Sequence, residues 1–497
     1  MKIVKEYKYV ILIGILLVAF YLITRVYNLT LIPIFTDESI YIRWAQIAKQ
    51  DAAWRFISLT DGKQPLFVWL MMFTLKAFKD PLFAGRIASV LCGLGSMIGL
   101  FFLGNQLFRN KRIGLLVSFL YLFYPFAFVY DRMALYDSMV GLFTVWSLFF
   151  EVLLIQTIRL DVALLLGMVI GGSLLTKSSG LFNIYLLPFS LILFPWKEKN
   201  WKKFMTWVVF ALIAAIEAEV IYSVLRLSPL FNMIATKNNV FIYSFSEWFT
   251  HPLKFLIGNL KGLINWVYIY YGLPMTIILI ASIIALKNNW REYLLLTVWF
   301  IAPFFALALF GRVLYPRFIF FMTLPLLILI GLFFEDIYKR LNKISYLIIL
   351  LVVITLPWIY RDWQISFNPY TANIPEADKG QYYNSWPSGG GINETVIFLN
   401  DESQKGKIFV GIEGTFGSPE YALEIYLIQN KNIELKGYWP LGKTLPSEVL
   451  DKVSTMPTYF VFNETQNIPP DWPLQLISRY QKGIGNYYLS IYRVVLK

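Results

Sequence analysis

Cysteine and charge are both scarce in this sequence. The only cysteine among the 497 residues, Cys92, lies inside an apolar run, which excludes disulfide frameworks and thiolate metal clusters. Charged residues make up 15% of the chain, and neither an internal repeat nor a low-complexity tract is present. The glycine-rich segments at 389–391 and 411–414 lack the spacing and the Lys-Ser/Thr of a phosphate-binding loop, so they are interpreted as turns.

Long apolar runs are abundant. Hydrophobic residues make up 57% and aromatic residues 18% of the chain. The runs approach the ~20 residues that a bilayer-spanning helix needs. This pattern predicts a polytopic α-helical membrane protein with about eleven transmembrane helices. The predicted spans are 9–26, 82–108, 113–129, 138–158, 162–175, 181–194, 204–225, 263–286, 293–310, 318–334 and 345–359.

The basic loops predict the orientation. The first run follows three lysines and lacks a small-residue cleavage site, which predicts a retained helix with its amino end in the cytoplasm. If 65–78 is a short interfacial or re-entrant segment, the basic clusters at 109–112, 197–203, 287–291 and 339–343 all fall on the cytoplasmic side. The segments 27–81, 130–137, 176–180, 226–262 and 311–317, and everything after 360, are then external. We therefore expect an integral protein of the plasma or inner membrane.

The composition changes near residue 361. Residues 1–360 hold 32 basic and 17 acidic side chains and residues 361–497 hold 12 and 14, so the net charge of +13 divides into +15 and −2. In the second part, helix-like segments at 393–404, 419–429 and 446–455 alternate with strand-like ones at 407–412, 433–438, 458–463, 474–480 and 487–495. Two domains are predicted: a transmembrane domain 1–360 with an external catalytic loop 27–81, and an extracytoplasmic soluble α/β domain 361–497.

Two adjacent carboxylates open an amphipathic stretch after the first span, at Asp37 and Glu38. A carboxylate beside a bilayer is costly, so this pair with cations dispersed around it indicates chemistry more than packing. Transfer of a sugar from a lipid phosphate to a hydroxyl needs a base for the hydroxyl, cations for the departing phosphate and an apolar groove for the tail. Asp37 or Glu38 is the candidate base, and Asp137 is a candidate to stabilise an oxocarbenium-like sugar. The candidates to hold the phosphate are Lys63, Arg86, Arg132, Arg312 and Arg317.

Five short motifs follow one another in the first ~200 residues of the chain. They are Phe35-Thr36-Asp37-Glu38-Ser39-Ile40-Tyr41, Gly62-Lys63-Gln64-Pro65-Leu66, Arg86-Ile87-Ala88-Ser89, Arg132-Met133-Ala134-Leu135-Tyr136-Asp137 and Leu175-Thr176-Lys177. In this order they resemble the motifs of the polyprenyl-phosphate-sugar-dependent GT-C glycosyltransferases. The nearest branch is that of the protein O-mannosyltransferases and the lipid A aminoarabinose transferase. The resemblance covers the later helices only loosely and the tail hardly at all.

That resemblance implies the GT-C fold, with Asp37 as the catalytic base in an external loop over a cavity open to the bilayer. It places Asp137 at the second acidic position, Lys63 at a lysine that helps hold the carrier phosphate, and Tyr41 among the donor contacts. Relatives often carry Lys-Pro-Pro or Glu-Lys-Pro where this chain has Lys63-Gln64-Pro65. The glutamate that some members use near a metal is therefore not evident. No cofactor is predicted with certainty, and a divalent metal stays open.

The basic candidates and the histidine each have an alternative interpretation. Arg86, Arg132 and Lys177 lie near predicted helix ends, where basic residues commonly reach to lipid headgroups. For Arg312 and Arg317 a contact with lipid headgroups is the weaker interpretation, because basic residues are disfavoured on the outer side. His251, the only histidine, is a candidate phosphate donor or metal ligand, or a solvated loop residue.

The acidic residues also divide between chemistry and structure. Glu38 is a candidate to cap the helix that starts there, which leaves Asp37 alone as the base. Asp131 is interpreted mainly as the partner of a nearby arginine. Glu217 and Glu219, inside a predicted span, either face the cavity or bind a basic partner.

The predicted function is that of an inverting glycosyltransferase, which moves a monosaccharide from a polyprenyl phosphate to an external lipid, protein or glycan. Its expected partners are this donor, membrane lipids and the acceptor, with no nucleic acid. Three alternatives stay open. One is a transporter or flippase of lipid-linked sugars, although such proteins tend to place their charges near the bilayer midplane. The others are a glycan ligase or polymerase with a lipid-diphosphate donor, and a membrane anchor that presents the tail as a binding module.

Overall fold

The structure is a computed structural model that describes residues 2–284 and 289–495, with side chains from residue 8 onward. The last two residues of the predicted span 263–286, and Lys287 of the predicted cytoplasmic cluster, lie outside the described residues. The α-helices, numbered α1 to α21 in chain order, are Lys2–Val26, Thr36–Gln50, Leu66–Ala77, Pro81–Phe108, Lys111–Phe123, Pro125–Tyr130, Asp137–Thr157, Leu160–Thr176, Leu181–Leu186, Trp201–Tyr222, Met233–Phe241, Phe245–Thr250, Leu256–Ile284, Trp290–Phe310, Phe320–Thr323, Leu326–Leu341, Ile344–Phe367, Glu376–Lys379, Ile392–Gln404, Glu420–Leu427 and Ser447–Val453. The strands β1 to β5 are Ile408–Glu413, Ile433–Tyr438, Thr458–Phe462, Leu474–Gln481 and Tyr488–Val494.

Every predicted span coincides with helical structure. Within 2–284 and 289–495, seven helices are long and apolar enough to cross a membrane, or eight if Pro316–Thr323 and Leu326–Leu341, which meet at 46°, form one broken span. The other three predicted spans are shorter or interrupted. The segment 113–129 is broken at Tyr124, where Pro125 begins a new helix, and 181–194 tightens into a 3₁₀-helix at Leu187–Leu193 around Pro188. Helix α3, in the segment expected not to cross, has only 12 residues.

The described chain divides into two compact units. The helical unit holds Met1–Tyr27, Arg55–Leu70 and Arg86–Gln364, and the sheet unit holds Asn28–Trp54, Met71–Gly85 and Ile365–Lys497. Helix α2, which carries Asp37, is therefore part of the same unit as the carboxyl-terminal sheet. The domain boundary at 360/361 stays a prediction, and helix α17 continues through it to Phe367.

The core of the helical unit is apolar and closely packed. Helices α7, α8 and α10 share a cluster of buried side chains that includes Leu166, Ile170 and Ala214. Two glycines four residues apart on α8 let α10 approach. A Cβ at Gly167 would lie 3.0 Å from the carbonyl oxygen of Ala214, and one at Gly171 would lie 2.8 Å from the side chain of Ile221. Small residues at such a crossing bring helix backbones close together, as is common between membrane helices.

The sheet unit is a small α/β layer fold, as the alternation of segments predicts. Its five strands have the order β2-β1-β3-β5-β4, with β1 parallel to β2 and β3, and with β5 antiparallel to both β3 and β4. All three predicted helices and all five predicted strands are present, with ends that shift by only a few residues. Strands β1 and β3 are buried along their whole length, which is typical of parallel strands covered on both faces.

Candidate active site

The first turn of helix α2 contains the two predicted carboxylates, and their surroundings differ. Glu38 is fully buried, and its Oε2 accepts a hydrogen bond of 2.9 Å from the backbone N–H of Phe35. This bond satisfies a donor ahead of the first helical turn, as the glutamate of a capping box does. The interpretation of Glu38 as a helix cap is thus confirmed. Asp37 is partly exposed at the second position of the helix.

The start of α2 is fixed by residues of the carboxyl-terminal segment. The backbone N–H and the hydroxyl of Thr36 both donate to the carbonyl oxygen of Pro387, at 3.0 and 2.8 Å. Further along the helix, Arg43 forms an ion pair of 2.6 Å with Glu424 of α20. Tyr41 is buried, and its ring packs 5.8 Å from that of Trp44. Asp37 therefore stands on a helix that its own unit holds from several sides.

In the helical unit, two predicted cations share one aromatic ring, and a predicted carboxylate pairs with one of them. Lys177 Nζ lies 2.7 Å from Oδ1 of Asp137, which is the first residue of α7. The same Nζ lies 4.7 Å from the centre of the Phe318 ring. The guanidinium of Arg317 lies 5.9 Å from the same centre and 5.1 Å from that of the Tyr315 ring. Cations over aromatic faces are stabilised electrostatically. The sequence predicts each of these charges separately, and the structure brings them together.

Lys63 and Arg312 each have an acidic neighbour in the same unit. Lys63 Nζ lies 3.5 Å from Asp61, whose other oxygen is 2.7 Å from Lys237. Asp61 thus links two cations, and sequence reasoning missed it although it stands two positions before Lys63. Arg312 pairs with Glu247 at 2.5 Å and lies over the Tyr243 ring.

His251 packs against the ring that Arg312 covers. Its imidazole lies edge-on to Tyr243, with the ring centres 5.2 Å apart, and its Nδ1 is buried without a hydrogen-bond partner. The imidazole is therefore not simply solvated. Among the described residues, no group of three or more His, Cys, Asp or Glu side chains is placed to hold a metal ion.

Arg86 and Arg132 are completely buried, so neither reaches to lipid headgroups. Arg132 Nη1 donates to the carbonyl oxygens of Thr24, Arg25 and Tyr27 at 2.9, 3.1 and 2.8 Å. These carbonyls lie at and just beyond the end of α1, where backbone acceptors lack helical partners. Arg132 therefore caps this helix.

Asp131 is paired with an arginine, as expected. Its Oδ2 lies 3.7 Å from Arg25 Nε and accepts hydrogen bonds from the hydroxyls of Tyr21 and Tyr121, and its Oδ1 accepts one from Ser138. Burial raises the pKa of the Asp131 carboxyl to about 6, although the Arg25 cation and the hydroxyl donors lower it. The sequence shows Arg25 only as a charge near the end of the first apolar run, and its role as this partner was missed.

The two glutamates of α10 differ in their surroundings. Glu219 lies 3.3 Å from Arg226, which confirms a basic partner for this residue. Glu217 packs against Gly167 of α8, where an added Cβ would lie 2.5 Å from its Oε2.

Comparison with known proteins bears on this arrangement. Residues 62–222 match the family model of the dolichyl-phosphate-mannose-protein mannosyltransferases. That region contains Lys63, Arg86, Arg132, Asp137 and Lys177. The chain is also similar to the crystal structure of ArnT from Cupriavidus metallidurans in the apo state, with a TM-score of 0.60 and 16% identity over 97% of each chain. The chain has the fold of ArnT.

A second structure extends the comparison. ArnT from Cupriavidus metallidurans bound to undecaprenyl phosphate is similar to this chain with a TM-score of 0.58 and 15% identity, over 99% of each chain. At such identities the likeness concerns the fold. No curated protein matches the sequence significantly. Asp37 and Glu38 lie ahead of the matched family region, so their assignment depends on the chemistry of the residues themselves.

Proposed function

We propose that this protein is a glycosyltransferase that moves a monosaccharide from a polyprenyl phosphate to an extracytoplasmic acceptor, with inversion at the anomeric carbon. The description of the matching family names a lipid-phosphate sugar, and one similar structure holds undecaprenyl phosphate. The assignment of the base is supported by the different surroundings of the two carboxylates in the first turn of α2. Glu38 is fully buried and caps the helix, whereas Asp37 is partly exposed.

In the proposed reaction, Asp37 takes the proton from the acceptor hydroxyl while that oxygen attacks the anomeric carbon. The bond from this carbon to the phosphate oxygen breaks, and polyprenyl phosphate leaves. One displacement inverts the configuration, through a sugar with oxocarbenium character. The negative charge that develops on the leaving phosphate is balanced by cationic side chains.

Among the cations, Lys63, Arg312 and Arg317 are proposed to contact the donor phosphate, with His251 beside Arg312. Lys177 and Asp137 form a pair next to Arg317, and we assign them the task of fixing the charge around the departing group. Arg132 acts through the fold, since the described hydrogen bonds of its Nη1 hold α1. Tyr41 and Arg86 stay predictions as donor contacts.

The test is Asp37→Asn in purified protein supplied with a polyprenyl-phosphate sugar and acceptor. Removal of a general base is expected to lower the transfer rate by at least ~100-fold, with donor binding unchanged. Asp51→Asn is the matched control, because Asp51 is an exposed carboxylate at the other end of α2. Full activity of the Asp37 variant would remove the central assignment. Counting the phosphates on the released carrier separates this reaction from one with a lipid-diphosphate donor.

A further inference from the structure

A pocket opens in the sheet unit at the carboxyl ends of its three parallel strands. Glu413 ends β1, Trp439 follows β2 and Asn463 follows β3, and all three line the pocket. Its volume is about 180 Å³, below the ~300 Å³ at which pockets for drug-sized ligands begin. In sheets with parallel strands, ligands bind outside the carboxyl ends of these strands. The place is therefore one where a binding site is expected, and its size suits a single small ring.

The walls of the pocket combine aromatic rings with polar groups. Trp386, Phe416 and Trp439 all line it and are 38%, 44% and 56% exposed, so part of each side chain can contact a ligand. The hydroxyl of Ser418, also a lining residue, is buried and has no hydrogen-bond partner. A pyranose ring presents an apolar C–H face and a rim of hydroxyls. Aromatic faces next to buried polar groups match both features.

The polar floor is held rigidly from behind. Both oxygens of the Glu413 carboxylate accept hydrogen bonds from the segment 463–465, among them one of 2.7 Å from the backbone N–H of Asn463. Asn463 Nδ2 donates to the carbonyl oxygen of Trp386 at 3.0 Å. The buried Lys482 amine donates to Trp386, Ser388 and Asn463. Side chains that are already held by hydrogen bonds lose little conformational entropy when a ligand binds beside them.

The same pocket adjoins the helix that carries Asp37. Trp386 precedes Pro387, whose carbonyl receives the two hydrogen bonds from Thr36. Phe416 packs against Trp44 of α2 at 6.1 Å and precedes Gly417, where an added Cβ would lie 2.7 Å from Thr36 Cγ2. Trp386 and Phe416 of the pocket wall are thus directly followed in the chain by Pro387 and Gly417. Both of these residues contact Thr36, the neighbour of Asp37.

The charge of the residues that line the pocket favours the acceptor over the phosphate-linked donor sugar. Of the residues that line this pocket in the described chain, Glu413 and Glu464 are acidic and none is basic. The Lys482 amine behind the floor offsets part of this charge, and the remaining negative charge disfavours a phosphate-bearing donor more than a neutral or amino sugar. The volume also excludes a polyprenyl tail.

We propose that this pocket binds a sugar ring of the acceptor and thereby sets the position of the attacked hydroxyl relative to Asp37. The proposal rests on the proposed function and adds to it the chemical class of the acceptor, a saccharide or glycolipid.

The experiment measures binding of methyl glycosides of neutral and amino hexoses to the full-length protein in detergent, without donor, by ligand-observed NMR at millimolar concentration. At least one glycoside is expected to bind. Trp439→Ala removes the most exposed wall and is expected to weaken binding about tenfold, and Ser418→Ala a few-fold. Trp54→Ala is the matched control, because Trp54 is a comparably exposed tryptophan of the same unit that does not line the pocket.

A kinetic readout accompanies the binding experiment. Trp439→Ala is expected to raise the acceptor KM about tenfold with little change in donor binding, whereas a merely structural defect would weaken donor binding as well and lower the melting temperature. The proposal is overturned if no glycoside binds, or if the Trp439 and Ser418 variants bind as the parent does. Because the glycosides are bound without reaction, loss of the Asp37 assignment leaves this outcome intact, and the two failures are distinguishable.

Discussion

Asp137 and Lys177 form a close charge pair among the predicted site residues. Their charged atoms are 2.7 Å apart, with the aspartate side chain 6% and the lysine 29% exposed. A pair this sheltered from water interacts more strongly than a surface pair, and removal of one partner leaves the other charge poorly solvated.

We expect Lys177→Met to lower the free energy of unfolding by about 1–3 kcal/mol, because Asp137 then keeps a charge without its partner. The double variant with Asp137→Asn should recover part of this loss, and a double-mutant cycle followed by thermal melting in detergent measures the coupling. Arg159→Met is the matched control. The Arg159–Asp161 pair is 2.5 Å apart but mostly exposed, so its loss should be barely measurable. Additive effects of the two site variants would contradict the prediction.

Glu420 makes the sheet unit sensitive to pH. Burial, and then the neighbouring Glu424, raise the pKa of the Glu420 carboxyl to about 7, against the lowering by Arg43. An acid whose pKa is raised on folding binds more protons in the folded state. The contribution of the Glu420 carboxyl to the stability of the folded state is therefore fully present below the ordinary pKa of a glutamate. It is lost as the pH rises through about 7.

Glu420→Gln, which imitates the protonated form, is expected to raise the melting temperature at pH ~8 and to leave it nearly unchanged at pH ~4. The gain should correspond to roughly 1–2 kcal/mol, since the side chain keeps some contact with water. Melting curves of the parent and the variant across this range give the difference directly. A gain that is the same at both pH values would show that the carboxyl does not titrate as stated.

Helix α2 depends on a glycine far away in the chain. Gly417 has a φ of +82°, which favours glycine, and it lies so near Thr36 that a Cβ has no room. The residue thus serves both its own turn and the close approach of α2.

Gly417→Ala is expected to cost about 2 kcal/mol of stability and to lower the transfer rate markedly, because the first turn of α2 must shift. Gly406→Ala is the control, since Gly406 also has a positive φ but a Cβ added there would meet nothing within 4 Å. Strain alone should therefore lower the melting temperature in both variants, and only Gly417→Ala should affect transfer. Equal activities of the two variants would contradict a role for Gly417 in placing the helix.

The sequence predicts regular elements well and their partners poorly. The strands β1 and β3 are short apolar runs bounded by turn residues, and such patterns are local. The membership of α2 in the sheet unit rests on contacts such as the one between Thr36 and Pro387, which are 351 residues apart, and no local pattern reports this. Likewise, Arg132 is of a residue type that commonly binds phosphate. Only the folded chain shows that its guanidinium holds the end of α1. The cap made by Glu38 was predictable because its partner is three residues away.

The orientation of the whole molecule in the membrane is a prediction from loop charge, and the single cysteine makes it testable. Cys92 is buried, so it gives little background with a membrane-impermeant maleimide. We expect Lys405→Cys to be labelled in right-side-out vesicles and Lys199→Cys only after the membrane is opened, because both side chains are exposed on opposite predicted sides. The reverse pattern would invert the topology and place Asp37 in the cytoplasm.

The attachment of α2 to the carboxyl-terminal segment has a consequence for biosynthesis. Asp37 is made early, but Pro387 and Glu424, which hold its helix, leave the ribosome only after every predicted membrane span has been translated. A nascent or prematurely terminated polypeptide therefore carries the proposed base without the surface that positions it. We therefore expect transfer activity to begin only when synthesis is nearly finished, and truncated copies to be inactive.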